Sequence, residues 1–178
     1  MTGDPQTIIS LVPADDIASH ARDLGALLHA CVHAGASVGF VLPFSAADGA
    51  AFWTDKVLPG MRDGTRLLLV AKQGKRIAGT VQLDYDTMPN QPHRAEVRKL
   101  LVHPTFRRQG IARALMLELE RLAGQLGRRL LTLDTRTGDH AEPLYASLGY
   151  RTSGVIPGYA RAPVGDRLDA TTIMYKLL

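Results

Sequence analysis

Residues 96–126, EVRKLLVHPTFRRQGIARALMLELERLAGQL, constrain the chain more than any other stretch. Val97, Leu100, Leu101 and Val102 form an apolar, partly β-branched run that Pro104 stops, which predicts a strand. Ala112, Leu115, Met116, Leu119, Leu122, Ala123 and Leu126 recur at three- and four-residue spacing, which predicts a helix with one apolar face. Arg113, Glu118, Glu120, Arg121 and Gln125 fall on or near its other side. Between the two elements lies Arg107-Arg108-Gln109-Gly110-Ile111-Ala112. A helix start leaves its first amides unpartnered and carries partial positive charge. Gly110 lets backbone approach a ligand closely, and two arginines add fixed charge, so the turn suits an anion such as a phosphate. It has neither the G-K-[S/T] of a nucleotide P-loop nor the second and third glycines of a dinucleotide fingerprint. The plainer alternative is a helix start with a solubilising basic turn.

The run L-L-V-H-P-T-F-R-R-Q-G-I-A-R-A-L-M resembles motif A of the GNAT superfamily of acyl-CoA-dependent N-acyltransferases. That motif, [Q/R]-x-x-G-x-[G/A], is met by Arg107, Gly110 and Ala112. The resemblance implies that the loop of Arg107, Arg108, Gln109, Gly110, Ile111, Ala112 and Arg113 cradles the pyrophosphate of acetyl-CoA. It also implies that backbone groups of Leu100, Leu101 and Val102 pair with the pantetheine arm. A-E-P-L-Y-A-S-L-G-Y, residues 141–150, is similar to the family's motif B, whose tyrosine protonates the departing thiolate; Tyr145 takes that place. The chain departs from the commoner family pattern at Gly138, where many members carry Asn. The segments H-A-G-A-S-V-G-F, R-A-E-V-x-K-L, L-D-T and P-G-Y are similar, within the family, to the tabtoxin-resistance acetyltransferases. Those enzymes N-acetylate a β-lactam-bearing amino-acid toxin, so the resemblance implies a toxin- or antibiotic-resistance role.

At 178 residues the chain suits one domain, residues 1–178, with a real core. Its 46% hydrophobic and 21% charged residues are ordinary for a soluble globular protein. Residues 1–7 are polar, are expected to be flexible, and make no signal peptide. No apolar run is long enough for a membrane helix. A single cysteine, Cys31, excludes an internal disulfide framework and fits a reducing cytoplasm, so a cytoplasmic location is expected. The net charge is +4, but the arginines are spread and no nucleic-acid-binding spacing is present. A polyanionic small molecule accounts for the basic cluster as well as a nucleic acid would. His20, His29 and His33 lie on one predicted helix without a carboxylate partner, which is weak evidence for a metal.

Residues 8–12 read as a first strand, and Asp15 or Asp16 as the cap of a helix burying Ile17, Ala21, Leu24, Leu27, Leu28 and Cys31. The small-residue loop 33–40 is expected to border a pocket, and a short helix over 46–57 to pack through Phe52 and Trp53. Residues 66–72 and 77–84 read as a hairpin. In its second strand Thr80, Gln82 and Asp84 alternate with Val81, Leu83 and Tyr85, which predicts one polar face. The loop 86–92, with two prolines, leads into the central strand and is expected to overlook the site. Residues 130–135 read as a buried strand, Gly138 as the start of a helix through Leu148, residues 161–167 as a loop, and 171–178 as a last strand. The order β-α-α-β-β-β-α-β-α-β is an α/β fold with a mixed central β-sheet flanked by helices on both faces, which is also the GNAT arrangement by resemblance.

An amine attacking a thioester must lose a proton, and the thiolate benefits from gaining one. Glu96 and Asp134, on strands flanking the expected acyl site, are the candidate bases, and Tyr145 the candidate acid; ion pairs of either carboxylate with Arg94, Arg98 or Lys99 are the structural alternative. No metal is needed, and Cys31 need not act if transfer is direct. The acceptor is expected to be a small-molecule amine, with no nucleic acid or membrane partner, and the protein a monomer or homodimer. Asp84, Asp86, Glu96 and Asp134 would hold an ammonium, and Arg94, Arg98 or His93 a carboxylate. A GNAT-like domain that binds CoA as a sensor or has lost catalysis is the second reading.

Overall fold

The computed structural model describes residues 6–178. The expectation for the N-terminal segment falls mostly on residues 1–5, outside that range, while Thr7 already opens the first strand. In chain order the elements begin with β1 (Thr7–Leu11), α1 (Ile17–His33), α2 (Ala46–Phe52) and α3 (Leu58–Arg62). There follow β2 (Arg66–Gln73), β3 (Arg76–Asp84), β4 (Arg94–Val102), α4 (Ile111–Gln125) and β5 (Leu130–Arg136). α5 (Ala141–Ser147), β6 (Arg151–Arg161) and β7 (Leu168–Leu177) complete the chain. The strands form one seven-stranded sheet in the order β1-β2-β3-β4-β5-β7-β6. Only the β4–β5 pair is parallel, with α4 as its crossover.

Two helical layers cover the sheet. On one face Leu115, Met116 and Leu119 of α4 and Tyr145 of α5 pack on Ala95, Val97, Leu131 and Leu133. On the other, Leu24, Leu28 and Cys31 of α1 pack with Trp53 and Val57, a π-helical turn between α2 and α3, on Leu68 and Val70. The periodicity of residues 111–125 is therefore a buried stripe, although Leu126 is 44% exposed just beyond the helix end. Neither Asp15 nor Asp16 caps α1 with its side chain; a 3₁₀ turn over Ala14–Asp16 leads in instead. Gly138 does not open α5 either, which starts three residues later, and its amide donates to Glu142 at 2.8 Å.

The polar face expected on β3 is buried. Thr80, Gln82 and Asp84 lie under the α1–α3 layer, where Thr80 donates to the Lys99 carbonyl (3.1 Å) and Asp84 pairs with Arg66 (2.6 Å). Alternation marks two faces, not which of them meets water. β6 is the strand that sequence patterning omits. Gly154, Pro157 and Gly158 interrupt it, and its register with β7 shifts between Thr152 and Gly154 and between Ile156 and Ala160. Edge strands tolerate such residues because one side of their ladder is unpaired. No helix among the described residues is long and apolar enough to cross a membrane.

α1 and α2 cross through two glycines. A Cβ on Gly25 would lie 2.6 Å from the Ala50 nitrogen and 2.8 Å from the Ala46 carbonyl oxygen. One on Gly49 would lie 2.6 Å from the Gly25 carbonyl oxygen. Backbone cannot yield as a flexible side chain can, so Gly25→Ala should push the helices apart and cost about 1–3 kcal/mol. Chemical denaturation checks this, and an unchanged midpoint would contradict so close a crossing.

Candidate active site

β4 and β5 pair over only three positions, Arg94 with Leu130, Ala95 with Leu131 and Glu96 with Thr132. Beyond them the strands part, and a cleft of about 910 Å³ opens between their C-terminal halves. A bulge in β4 shapes this gap. Gln82 pairs with Arg98 and Thr80 with Leu101, so Val81 faces both Lys99 and Leu100. Lys99 has a φ of 50°, a left-handed conformation that side chains rarely adopt. Ala95 and Val97 before the bulge, and Leu100 and Val102 after it, point to the α4 layer. Glu96, Arg98 and Lys99 consequently share the opposite face. On β5, Leu131 and Leu133 point to the α4 layer, which puts Asp134 on the same side as Glu96.

Arg107–Arg113 lies at one end of the cleft. Arg108 (φ 65°) and Gly110 (φ 77°) are both left-handed, and a Cβ on Gly110 would meet nothing within 4 Å. The first bonded amide of α4 is that of Ala114, to the Gly110 carbonyl at 3.0 Å. The preceding amides, from Arg108 to Arg113, have no backbone partner among the described residues, and no side chain caps the helix. An open cradle of unpartnered amides beside three arginines fits a pyrophosphate. Leu100, Leu101 and Val102 line the cleft, as do Arg107, Arg108, Gly110, Ile111, Ala112 and Arg113. Gln109 does not: its side chain turns back to accept from Gln73 at 2.8 Å, which ties the turn to β2. Arg113 donates to Ser147 at 2.6 Å, linking α4 to α5.

Proline at Gly110 cannot adopt a φ of 77° and removes one amide. Gly110→Pro should therefore weaken acetyl-CoA binding about 10- to 100-fold, the worth of a charge-assisted hydrogen bond or slightly more. Calorimetric titration of the folded variant measures this, and wild-type affinity would place the phosphates elsewhere.

Glu96, Asp134 and Tyr145 all line the cleft. Glu96 is held by Arg98 at 2.9 Å, and Arg98 also reaches Asp84 at 3.3 Å. Asp134 is exposed to the cleft, and its carboxylate has no ion pair or hydrogen bond among the described residues. Tyr145 is 6% exposed, and burial, reinforced by the charges of Asp134 and Asp139, pushes its phenol well above its ordinary range. Cys31 lines the cleft too, donating to the Val102 carbonyl at 3.5 Å. Burial pushes its thiol up to about 11 despite Arg107, so it is a poor nucleophile at neutral pH.

Residues 34–39 border the cleft, as the sequence predicts, held there by Arg136 through the Gly35 carbonyl at 3.1 Å. The loop 86–92 does not overlook it, because it enters β4 at the paired end, away from the gap. Asp84 and Asp86 likewise stay outside, the first spent on Arg66 and Arg98. Arg94 donates to Gln91 at 3.0 Å and, like His93, does not line the cleft. Sequence reasoning passed over Arg136, Asp139 and Tyr159, which do, and offered Lys99, which also does, only as an ion-pair partner. Lys99 needed the bulge to be seen, and Tyr159 belongs to the omitted β6. His33 donates from Nε2 to the Phe44 carbonyl (2.9 Å) and stacks on His29, and no metal-holding group of three occurs among the described residues.

The family of acetyltransferases described as GNAT matches residues 26–150, well over half of the chain. The chain belongs to the GNAT family and is an acetyl-CoA-dependent N-acetyltransferase. Among similar solved structures is the ribosomal-protein-alanine N-acetyltransferase from Brucella melitensis, 20% identical over 96% of this chain and 99% of that one, with a TM-score of 0.77. An N-acetyltransferase from Staphylococcus aureus Mu50 is 15% identical over 97% and 98%, with a TM-score of 0.78. The yncA protein of Salmonella typhimurium, determined with its cofactor acetyl-CoA, is 18% identical over 97% and 94%, with a TM-score of 0.73. At these identities the likeness speaks for the fold.

Proposed function

We propose that this protein transfers the acetyl group of acetyl-CoA directly to the amine of a small molecule. The observation that carries the reading is the pair of carboxylates, Glu96 and Asp134, on one face of the parted strands, with the Tyr145 phenol lining the same cleft. The acetyl group arrives as a thioester whose phosphates suit the amides of Arg108–Arg113 and whose arm suits the free edge of Leu100, Leu101 and Val102. The amine nitrogen bonds to the acetyl carbon and the carbon–sulfur bond breaks. The amine's proton passes to a carboxylate, directly or through one water, and the thiolate takes one from Tyr145.

Asp134 is the better base of the two, since Arg98 already occupies Glu96. Glu96 then helps to hold the acceptor's ammonium. Within this class the reading narrows to amino-acid-like acceptors, including β-lactam-bearing toxins or antibiotics, on the residue resemblance to the tabtoxin-resistance acetyltransferases. Free-thiol release from acetyl-CoA, measured over a panel of amino acids, β-lactam amines, polyamines and peptides, tests it. Turnover of small amines supports the reading. Efficient acetylation of peptides or polyamines alone would refute it, and CoA binding with no turnover on any amine would favour a sensor.

A further inference from the structure

The geometry points to Lys99 as the residue that holds an anionic group, a carboxylate in the first place, on the acceptor amine. This rests on the small-amine reading above and names what that amine must carry. Lys99 is the extra residue of the β4 bulge, and its φ of 50° turns it to the same face as Glu96. It lines the cleft and is half-buried there. Its ammonium stands over the rings of Phe52 (5.4 Å) and Phe40 (5.9 Å), themselves packed edge to face at 5.2 Å. Gly39, left-handed at a φ of 93°, passes beside it with no side chain of its own.

Every other cation on this side of the cleft is occupied. Arg98 is shared between Glu96 and Asp84, and Arg136 is held by Asp139 (2.9 Å) and the Gly35 carbonyl. Arg107, Arg108 and Arg113 belong to the phosphate end. Among the lysines and arginines of the described residues that line this part of the cleft, Lys99 alone has no carboxylate within 4.0 Å. Ring faces repay part of the cost of withdrawing an ammonium from water, but they leave its hydrogens without acceptors. Burial, with Arg98 adding and Asp134 opposing, depresses its basicity, as expected of an ammonium lacking a close anion. A carboxylate supplied by the ligand would complete the site. Of the carboxylates lining the cleft, Asp139 and Asp169 are held by Arg136 and Arg167, which leaves Asp134, beside Glu96, and the unpaired Lys99 to match a zwitterion: ammonium toward Asp134 and Glu96, carboxylate toward Lys99.

The test compares L-amino acids with their carboxamides as acceptors for the wild type, Lys99→Met and Lys99→Arg, after thermal melts show that each variant folds. Met is slightly shorter than Lys and Arg longer, but both are unbranched at Cβ and leave the bulge to another L-residue, so the backbone strain at a φ of 50° is little changed. The wild type should prefer the acid, and Lys99→Met should lower the acid-to-amide ratio of kcat/KM about 10- to 100-fold, mostly through KM, with Lys99→Arg restoring part of it. Equal losses on acid and amide would overturn the assignment, as would a wild type indifferent to the carboxylate while still acetylating small amines. If no member of the panel is acetylated although acetyl-CoA binds, the small-amine reading itself fails and the assignment falls with it.

Discussion

Tyr145→Phe should lower turnover by roughly 10²–10⁴-fold, the usual worth of a positioned acid, while hardly changing stability. The ring sits in the α4–α5 core with 6% of its surface exposed, and phenylalanine fills the same space. Its hydroxyl makes no hydrogen bond among the described residues, so deleting it leaves no protein group unpaired. The phenol's raised pKa means that it keeps its proton across the working pH range. A weak acid is no obstacle here. A thiolate expelled into the same buried surroundings is made more basic by the same desolvation, which lessens the mismatch. Stopped-flow measurement of the acetyl-transfer step, with a parallel thermal melt, checks both halves. Wild-type transfer in Tyr145→Phe would return Tyr145 to a packing role.

The strand, turn and helix over residues 94–125 could be read closely because each local rule agrees there: a β-branched run, a stop, a glycine and then helical periodicity. Tyr145 is singled out by the resemblance of residues 141–150 to motif B, whereas the helical face that it shares with Leu144 and Leu148 by itself predicts packing. What patterning lacked was the third dimension at two places. The β4 bulge inverts the alternation after Arg98, and nothing in R-K-L-L announces that Arg98 and Lys99 will share a face. Sequence assigns the acceptor's counter-cation to Arg94, Arg98 or His93, yet the first is tied to Gln91 and the second to two carboxylates. β6 was hidden for another reason: glycine and proline speak against a strand unless its edge position is known. With β6 went Tyr159 and the pairing that brings Asp169 and Thr171 to the cleft.

Gln109 shows the opposite error. A motif assigns residues to a loop, and a loop need not turn all its side chains to the ligand. On the proposed reading Gly110 and its neighbours would hold the phosphates through backbone, for which the side-chain direction of Gln109 is immaterial. Its carbonyl oxygen instead receives the Gln73 amide, whose other contact is the Thr7 hydroxyl at 2.9 Å. The turn proposed to hold the phosphates is thus buttressed from β1 and β2, and Gln109→Ala should loosen it without removing a side chain that lines the cleft.

Asp134→Asn should cost as much in turnover as the loss of the phenol, roughly 10²–10⁴-fold, and more than Glu96→Gln. The two carboxylates differ in what already holds them. Glu96 spends an oxygen on Arg98 at 2.9 Å, and the amide in its place leaves Arg98 paired with Asp84. Asp134 has no such partner, and β7 secures its backbone through the pairing with Ile173. Its side chain is therefore placed by the sheet and remains free to take a proton. Asparagine keeps the shape and can still accept a hydrogen bond, so acceptor binding should weaken less than turnover. Acetyl-CoA affinity should stay near wild type, because the amides of Arg108–Arg113 lie at the other end of the cleft. A pH profile separates the roles: if Asp134 takes the proton, the limb of kcat/KM that reports its ionisation disappears in Asp134→Asn and survives in Glu96→Gln. The reverse pattern would make Glu96 the base and Asp134 the group that holds the ammonium.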